Sequence, residues 1–170
     1  FLELFSGSGT LSRKMRNLGY AVLSFDVKNG AEYDLLRPCT IKLIKGWIRS
    51  RVVFAMWMGT PCSSFSLARR GPPNSAWCKI RDKQHIFGLP NLRERPEAAV
   101  RLGNACADST ASILRVAVHC GCISMLENPH TSLLFSYPSI LHISQHKTCI
   151  SHVTDFCQHG ARWRKRTCIL

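Results

Sequence analysis

The amino-acid sequence predicts an α/β fold, a sandwich of helices around a mostly parallel sheet. Three observations predict it. Short apolar runs of strand type alternate with segments of helical period. The run "RVVFAMWMG" (51–59) is continuously apolar, as strands buried on both faces of a parallel sheet are. Four strand-type segments run into small, acidic or polar residues at their ends, "SGSG", Asp26, "GTPCSSFS" and "ENP". Ligands of open α/β sheets bind beyond the carboxyl ends of the strands, so these four features are expected on one edge.

The elements follow in order. "FLELF" (1–5) reads as a strand and "SGSGT" (6–10) as a tight loop of small residues. "TLSRKMRNLG" reads as a helix, with Leu11, Met15 and Leu18 recurring on one face, Arg13, Lys14 and Arg16 outward, and Gly19 as its stop. "YAVLSFD" (20–26) is a strand ending in an acid, "NGAEYD" is turn-rich, and "CTIKLIKGWI" is a short helix weakened by Gly46. After the central strand at 51–59, residues 63–96 are rich in Gly, Pro and Arg and show no period. A loop this long inside a domain is typically functional or disordered. Residues 97–118 form a long helix, with Leu102, Ala105, Cys106, Ser109, Ile113, Val116 and Ala117 on one face. Strands follow at "GCISMLENP" (121–129), "TCISHVTDF" (148–156) and "RTCIL" (166–170).

With 170 residues the chain is long enough for one domain with a real core. No stretch approaches the roughly 20 apolar residues of a membrane span, and nothing at the N-terminus reads as a signal peptide. The chain opens on "FLELF" without a Met, which is the expectation for a cropped domain. Twenty-three lysines and arginines against ten acids give a net charge of +13. The basic residues cluster in "RWRKR" (162–166) and along 69–95, a pattern that points to a polyanion partner, most simply nucleic acid. Nine cysteines, an odd number with several in apolar runs, read as reduced and structural rather than as a disulfide framework. No zinc spacing is present, so no metal is expected.

Three features carry chemistry. Gly7 and Gly9 permit a tight turn and let a ligand approach the backbone, and Asp26 at the next strand end suits ribose hydroxyls. Cys62 stands past a rigid Pro, at the exit of an apolar strand and beside arginine-rich flanks. Such flanks favour the thiolate, the reactive form. Glu127 follows apolar "ISML" at another strand end, where a half-buried carboxyl can hold and donate a proton.

In their order along the chain, these motifs resemble the cytosine-C5 DNA methyltransferase family. "ELFSGSGTLS" resembles the cofactor loop, "FDV" the acidic end of strand two and "YDLL" the Asp that contacts adenine. "GTPCSSFS" resembles the Pro-Cys nucleophile motif, "ENP" the Glu-Asn motif and "RWRKR" the Gln-x-Arg-x-Arg segment, with Arg162 where the family has Gln. The resemblance covers nearly the whole chain. It implies the Rossmann-like three-layer fold of S-adenosylmethionine-dependent methyltransferases in truncated form, lacking the target-recognition region. It implies S-adenosylmethionine as cofactor, with Phe5, Ser6, Gly7, Gly9, Thr10, Leu11, Asp26, Val27, Asp34, Leu35 and Pro61 around it. It implies Cys62 as the nucleophile on C6 of a flipped cytosine, Glu127 on the N3 edge, and Arg164 and Arg166 steadying base and carboxylate. Ser66, Arg69, Arg70 and Arg162 are expected on nucleic acid, and residues 63–96 as the catalytic loop. The expected partner is DNA and the expected state monomeric, off the membrane, in a nucleus or, for a bacterial or viral source, the cytoplasm. A tRNA cytosine-C5 methyltransferase and a catalytically degenerate nucleic-acid-binding module of the same fold are the alternatives.

Overall fold

The computed structural model describes residues 1–73 and 75–170; Asn74, inside the expected catalytic loop, lies outside the described residues. The architecture is α/β. In chain order the elements are β1 (Leu2–Leu4), α1 (Thr10–Asn17), β2 (Leu23–Phe25), α2 (Pro38–Arg49), β3 (Ala55–Met58), α3 (Glu94–Cys120), β4 (Ile123–Pro129), α4 (Pro138–Ser144), β5 (His152–Asp155) and β6 (Arg166–Ile169). The strands follow the order β2-β1-β3-β4-β6-β5. The pairs β1–β2, β1–β3 and β3–β4 are parallel, as the alternation of elements predicts. The pair β5–β6 is antiparallel, so the sheet is mixed rather than uniformly parallel.

Two compact units divide the chain. The first comprises Phe1–Thr60 and Ser109–Glu127, the second Pro61–Asp108 and Asn128–Leu170. The first unit holds β1, β2, β3 and most of β4. Leu4, Met56, Met58 and Leu126 from its strands are fully buried, together with Ile44 and Ile48 of α2 and Ile113 of α3. Of the strand expected at 51–59, only Ala55–Met58 forms, and Val52 and Phe54 are 70% and 62% exposed. Helix α2 starts with Pro38 at its first turn, where a missing N–H costs nothing, and buries Thr40, Ile44 and Ile48 at a spacing of four. Lys45 on the same helix donates to Ser112 Oγ of α3. Burial pulls its pKa below the usual lysine value, and Arg49 and Arg115 add to the fall.

Helix α1 departs from the expected face. Leu18 is 72% exposed, and the residue of α1 that is buried is Ser12. The reason is polar. Glu3, a buried carboxylate on β1, accepts the Ser12 N–H at 2.8 Å and also the Ser12 hydroxyl, which lies 2.6 Å from Ser24 Oγ of β2. That N–H belongs to the first turn of α1 and has no acceptor within the helix, so Glu3 satisfies it from the neighbouring strand. A carboxylate there also meets the positive end of the helix dipole.

In the second unit Phe65, Ile80, Leu134 and Ile140 are fully buried. Helix α3 begins at Glu94, three residues before the expected start, and Leu102 is 56% exposed rather than on the buried face. In its place Gly103 is buried, and a Cβ there would collide with Ser64 Oγ and lie 2.8 Å from Arg81 Nη2. Gly46 in α2 is the opposite case, with nothing within 4 Å of an added Cβ. Gly46→Ala is therefore expected to stabilise the protein by about 0.5–1 kcal/mol. Gly103→Ala is expected to destabilise it by about 1–3 kcal/mol through overpacking, in spite of the better helix propensity of Ala. Thermal unfolding of the two variants checks the opposite signs.

Candidate functional site

The strand order locates the first part of the site. From β1 the chain goes to β2 on one side, and β3 lies on the other. The order reverses between β1 and β3, and the crevice beyond the carboxyl ends at such a reversal is where open α/β sheets take ligands. β1 exits into the "SGSG" loop, and β3 exits toward Gly59, Thr60, Pro61 and Cys62.

The loop is locked from below. Phe5 has φ 55, Gly7 φ 55 and Gly9 φ 63. Gly7 and Gly9 have open space where a Cβ would go, so the left-handed backbone is what requires glycine there. Phe5 adopts the same region with a side chain, at a cost of about 1–3 kcal/mol that the surroundings must offset. Ser6 N–H donates to Phe25 O at 3.1 Å, and Gly9 N–H to Ser6 O at 2.9 Å. Gly7 N–H donates to Asp26 Oδ2 at 2.8 Å, while Asp26 Oδ1 accepts the Lys28 N–H at 3.0 Å. Asp26 thus fixes the loop and its own turn, and each oxygen keeps a second lone pair for a ligand hydroxyl.

A cavity of about 430 Å³ opens against this loop, lined by Ser6, Gly7, Ser8, Gly9, Arg13, Arg16, Leu23, Ser24, Asn29 and Tyr33. Of the expected cofactor residues, Ser6, Gly7 and Gly9 line it. Ser6 Oγ is buried with no hydrogen-bond partner among the described residues. Such an atom costs about 1–3 kcal/mol unless a ligand or water meets it. Thr10 opens α1 and bonds Ser8 and Arg13 through its hydroxyl, and Leu11 is half-buried beside it. Val27 is exposed. Asp34 Oδ1 accepts the Leu36 N–H at 2.9 Å, and Leu35 is a core residue, 2% exposed, rather than a pocket wall. Arg13, Arg16, Asn29 and Tyr33 were not anticipated at the cavity. Arg13 folds back to Ser8 O at 2.8 Å and Arg16 reaches Val22 O at 3.1 Å, contacts to backbone oxygens that residue types do not announce.

At the end of β3, Gly59 N–H donates to Leu4 O at 3.0 Å, and Thr60 Oγ1 lies 2.7 Å from Thr110 Oγ1 in the buried interior of the first unit. Glu127 is half-buried in β4.

The second unit carries Cys62. Pro61 is exposed and Cys62 half-buried. Cys62 O accepts the Phe65 N–H at 2.9 Å, closing a turn whose last residue is wholly buried. Phe65 packs edge-on against Tyr137 with ring centroids 5.9 Å apart. Arg81, 2% exposed, secures the turn. Its guanidinium donates to Ser64 O at 3.1 Å, Ser64 Oγ at 3.0 Å, Ile86 O at 2.5 Å, Asn104 Oδ1 at 2.7 Å and Val100 O at 2.9 Å, and lies 4.2 Å from the Phe65 ring centroid. Desolvation pulls Arg81 down to about 10, and it stays charged at neutral pH. Burial, with the bond to Asp108 at 2.9 Å, pushes the Tyr137 phenol up and keeps it a donor.

The expected nucleic-acid residues divide. Arg70 and Arg162 are exposed, and Ser66 is half-buried, accepting the Ala68 N–H at 3.1 Å. Arg69 is not a phosphate contact. It is 8% exposed, and its guanidinium is used by Cys78 O at 2.9 Å, Ala76 O at 2.6 Å and Ser63 O at 3.4 Å, with Trp77 beside it. Arg164 and Arg166 belong to the β5–β6 hairpin: Arg164 Nε donates to Asp155 Oδ2 at 3.1 Å, and Arg166 stands opposite Asp155 in the ladder. No disulfide joins the nine cysteines. Among the described residues no cluster of His, Cys, Asp or Glu could hold a metal, and no helix is long and apolar enough to cross a membrane. No family model, curated protein or solved structure matches the chain.

Asp26→Ala is expected to release the loop. In amide hydrogen exchange Gly7 and Lys28 should lose protection together, while the Gly59 amide on Leu4 keeps its own.

Proposed function

We propose that the chain transfers a methyl group from S-adenosylmethionine to C5 of cytosine in DNA. The observation that carries this reading is the reversal of strand order between β1, which exits to the glycine loop, and β3, which exits to Pro61-Cys62. Strand β1, beside that reversal, leads into a loop of cofactor type, and the chain leaves β3 directly into Pro61-Cys62.

The residues present fit the cofactor. The orphaned Ser6 hydroxyl, the spare lone pairs of Asp26 and the cavity against the loop suit a polar nucleoside with an amino-acid tail. S-adenosylmethionine supplies an electrophilic methyl group. Gly7 and Gly9 let it approach the backbone, and Asp26 takes its ribose hydroxyls. Asp34, whose Oδ2 is left over from its turn, is assigned to the adenine amine.

Cytosine C5 is a poor nucleophile. The Cys62 thiolate forms a bond to C6, which breaks the aromatic system and moves an electron pair toward C5. Glu127 holds the N3 edge and stabilises the charge that develops there. With the cofactor bound, C5 would take the methyl group as its bond to the sulfonium sulfur breaks and the thioether product departs, a base would remove the C5 proton, and the returning electron pair would expel Cys62. The base must leave the helix stack for this attack. Arg70, Arg162 and Ser66 are assigned to the nucleic-acid backbone, with Arg164 and Arg166 beside the base. Arg81 and Phe65 contribute rigidity, holding the turn that begins at Cys62 so that the thiol meets C6 in one orientation.

Labelled S-adenosylmethionine and duplex DNA containing 5-fluorocytosine are expected to trap a covalent adduct, because fluorine at C5 cannot leave as a proton. Cys62→Ala should abolish it. An adduct on tRNA alone would move the substrate to RNA. No adduct on either nucleic acid would overturn the reading.

A further inference from the structure

Residues 130–170 carry five lysines and arginines (Lys147, Arg162, Arg164, Lys165 and Arg166) against one acid, Asp155. Four of the five lie in 162–166, within or at the end of the connection from β5 to β6. The connection is closed by its own backbone. Phe156 N–H donates to Lys165 O at 3.1 Å, Ala161 N–H donates to Phe156 O at 3.2 Å, and Gly160 turns the chain with φ 85. Thr154 Oγ1 lies 2.9 Å from His159 Nε2. Asp155 engages Arg164, and Lys165 Nζ lies 4.6 Å from the centroid of the Phe156 ring. Arg162 has no ion pair among the described residues.

Trp163 stands in the middle of this charge and is 66% exposed. An indole left in water forgoes a large hydrophobic gain, since a tryptophan can bury up to about 250 Å². Two other tryptophans are engaged. The Trp47 ring lies 6.1 Å from Phe25, and Trp77, though exposed, has the Arg69 guanidinium 5.7 Å from its centroid. Trp163 has neither an aromatic nor a cationic neighbour on its ring among the described residues. A bare aromatic face, flanked in sequence by Arg162 and Arg164, suits a nucleotide whose base is unstacked. The base covers the indole and the phosphates meet the cations. A duplex presents the same phosphates but no base face, and an acidic peptide presents charge but no planar ring.

We propose that the β5–β6 connection is a platform for single-stranded nucleic acid, with Trp163 stacking an unpaired base and Arg162 and its neighbouring cations taking the phosphates. Binding at this surface needs neither Cys62 nor a cofactor, although Arg162, Arg164 and Arg166 are the same residues assigned to nucleic acid in the proposed methyl transfer.

The test is fluorescence anisotropy on the whole chain with a short labelled oligothymidine and with a blunt duplex, in the absence of S-adenosylmethionine. Trp163→Ala is expected to weaken single-strand binding roughly tenfold or more, to leave duplex binding within about twofold, and to leave the salt dependence unchanged. Trp163→Phe should restore most of the loss. Arg162→Ala should weaken both nucleic acids and lower the salt slope by about one. Trp163 is exposed, so its replacement leaves the fold intact, which circular dichroism verifies. Single-strand affinity unchanged by Trp163→Ala, an equal loss on duplex, or equal competition by polyglutamate would overturn the proposal. Because no cofactor is present, failure here and failure of adduct trapping are separate results.

Discussion

A buried guanidinium with no carboxylate partner among the described residues organises the second unit. Arg81 is 2% exposed and donates five hydrogen bonds, three to backbone carbonyls and two to the side-chain oxygens of Ser64 and Asn104. Taking a charge out of water costs several kcal/mol, and the fork is held there because its donors meet fixed acceptors, each charge-assisted bond worth about 1.5–3 kcal/mol. The geometry is demanding. Ser64, Ile86, Val100 and Asn104 come from three stretches of chain, and Gly103 must lack a side chain to admit Ser64 and Arg81. Phe65 covers the guanidinium and closes the turn onto Cys62 O. Phe65 O in turn accepts the Leu133 N–H at 3.0 Å. A lysine would keep the charge but not the fork, and could not reach all five acceptors.

The first unit uses carboxylates for the same purpose. Glu3 reaches from β1 to the first turn of α1, and Asp26 reaches from the end of β2 to Gly7. Between them the glycine loop is fixed at both ends while its outer surface faces the cavity. A loop held this way requires little reorganisation when a ligand arrives, and preorganisation of that kind lowers the cost of binding. Asp26 serves the loop through Oδ2 and its own turn through Oδ1, and keeps a further lone pair on each oxygen.

Much of the fold was legible because apolar period is written in residue types. "CTIKLIKGWI" announced α2 through a spacing of four, and "RVVFAMWMG" announced β3, although the strand is only Ala55–Met58 and Val52 and Phe54 of the run are exposed. Helix α4 was not anticipated: seven residues following Tyr137 carry only Ile140 and Ile143 as buried apolar positions, too few to show a period. The antiparallel sense of β5–β6 was also not legible, because an apolar run does not encode strand direction. The glycine loop and Asp26 could be read because their chemistry rests on special residues at special places. Arg69 and Arg81 misled for the opposite reason. In a Gly/Pro-rich, acid-poor stretch, arginines read as free cations, yet their partners are backbone carbonyls, which every residue has. Glu3 did leave a signal, an acid enclosed by leucines in a strand, which only burial with a specific donor explains.

The account rests on Arg81 holding the turn that carries Cys62, and native-state amide hydrogen exchange of Phe65 in Arg81→Lys measures that most directly. The account predicts that the Phe65 and Leu133 amides lose protection by roughly tenfold or more. The variant should stay folded by circular dichroism, and its Tyr137 amide, bonded to Leu134 O at 3.0 Å, should keep most of its protection. Wild-type protection at Phe65 in a folded Arg81→Lys protein would contradict it.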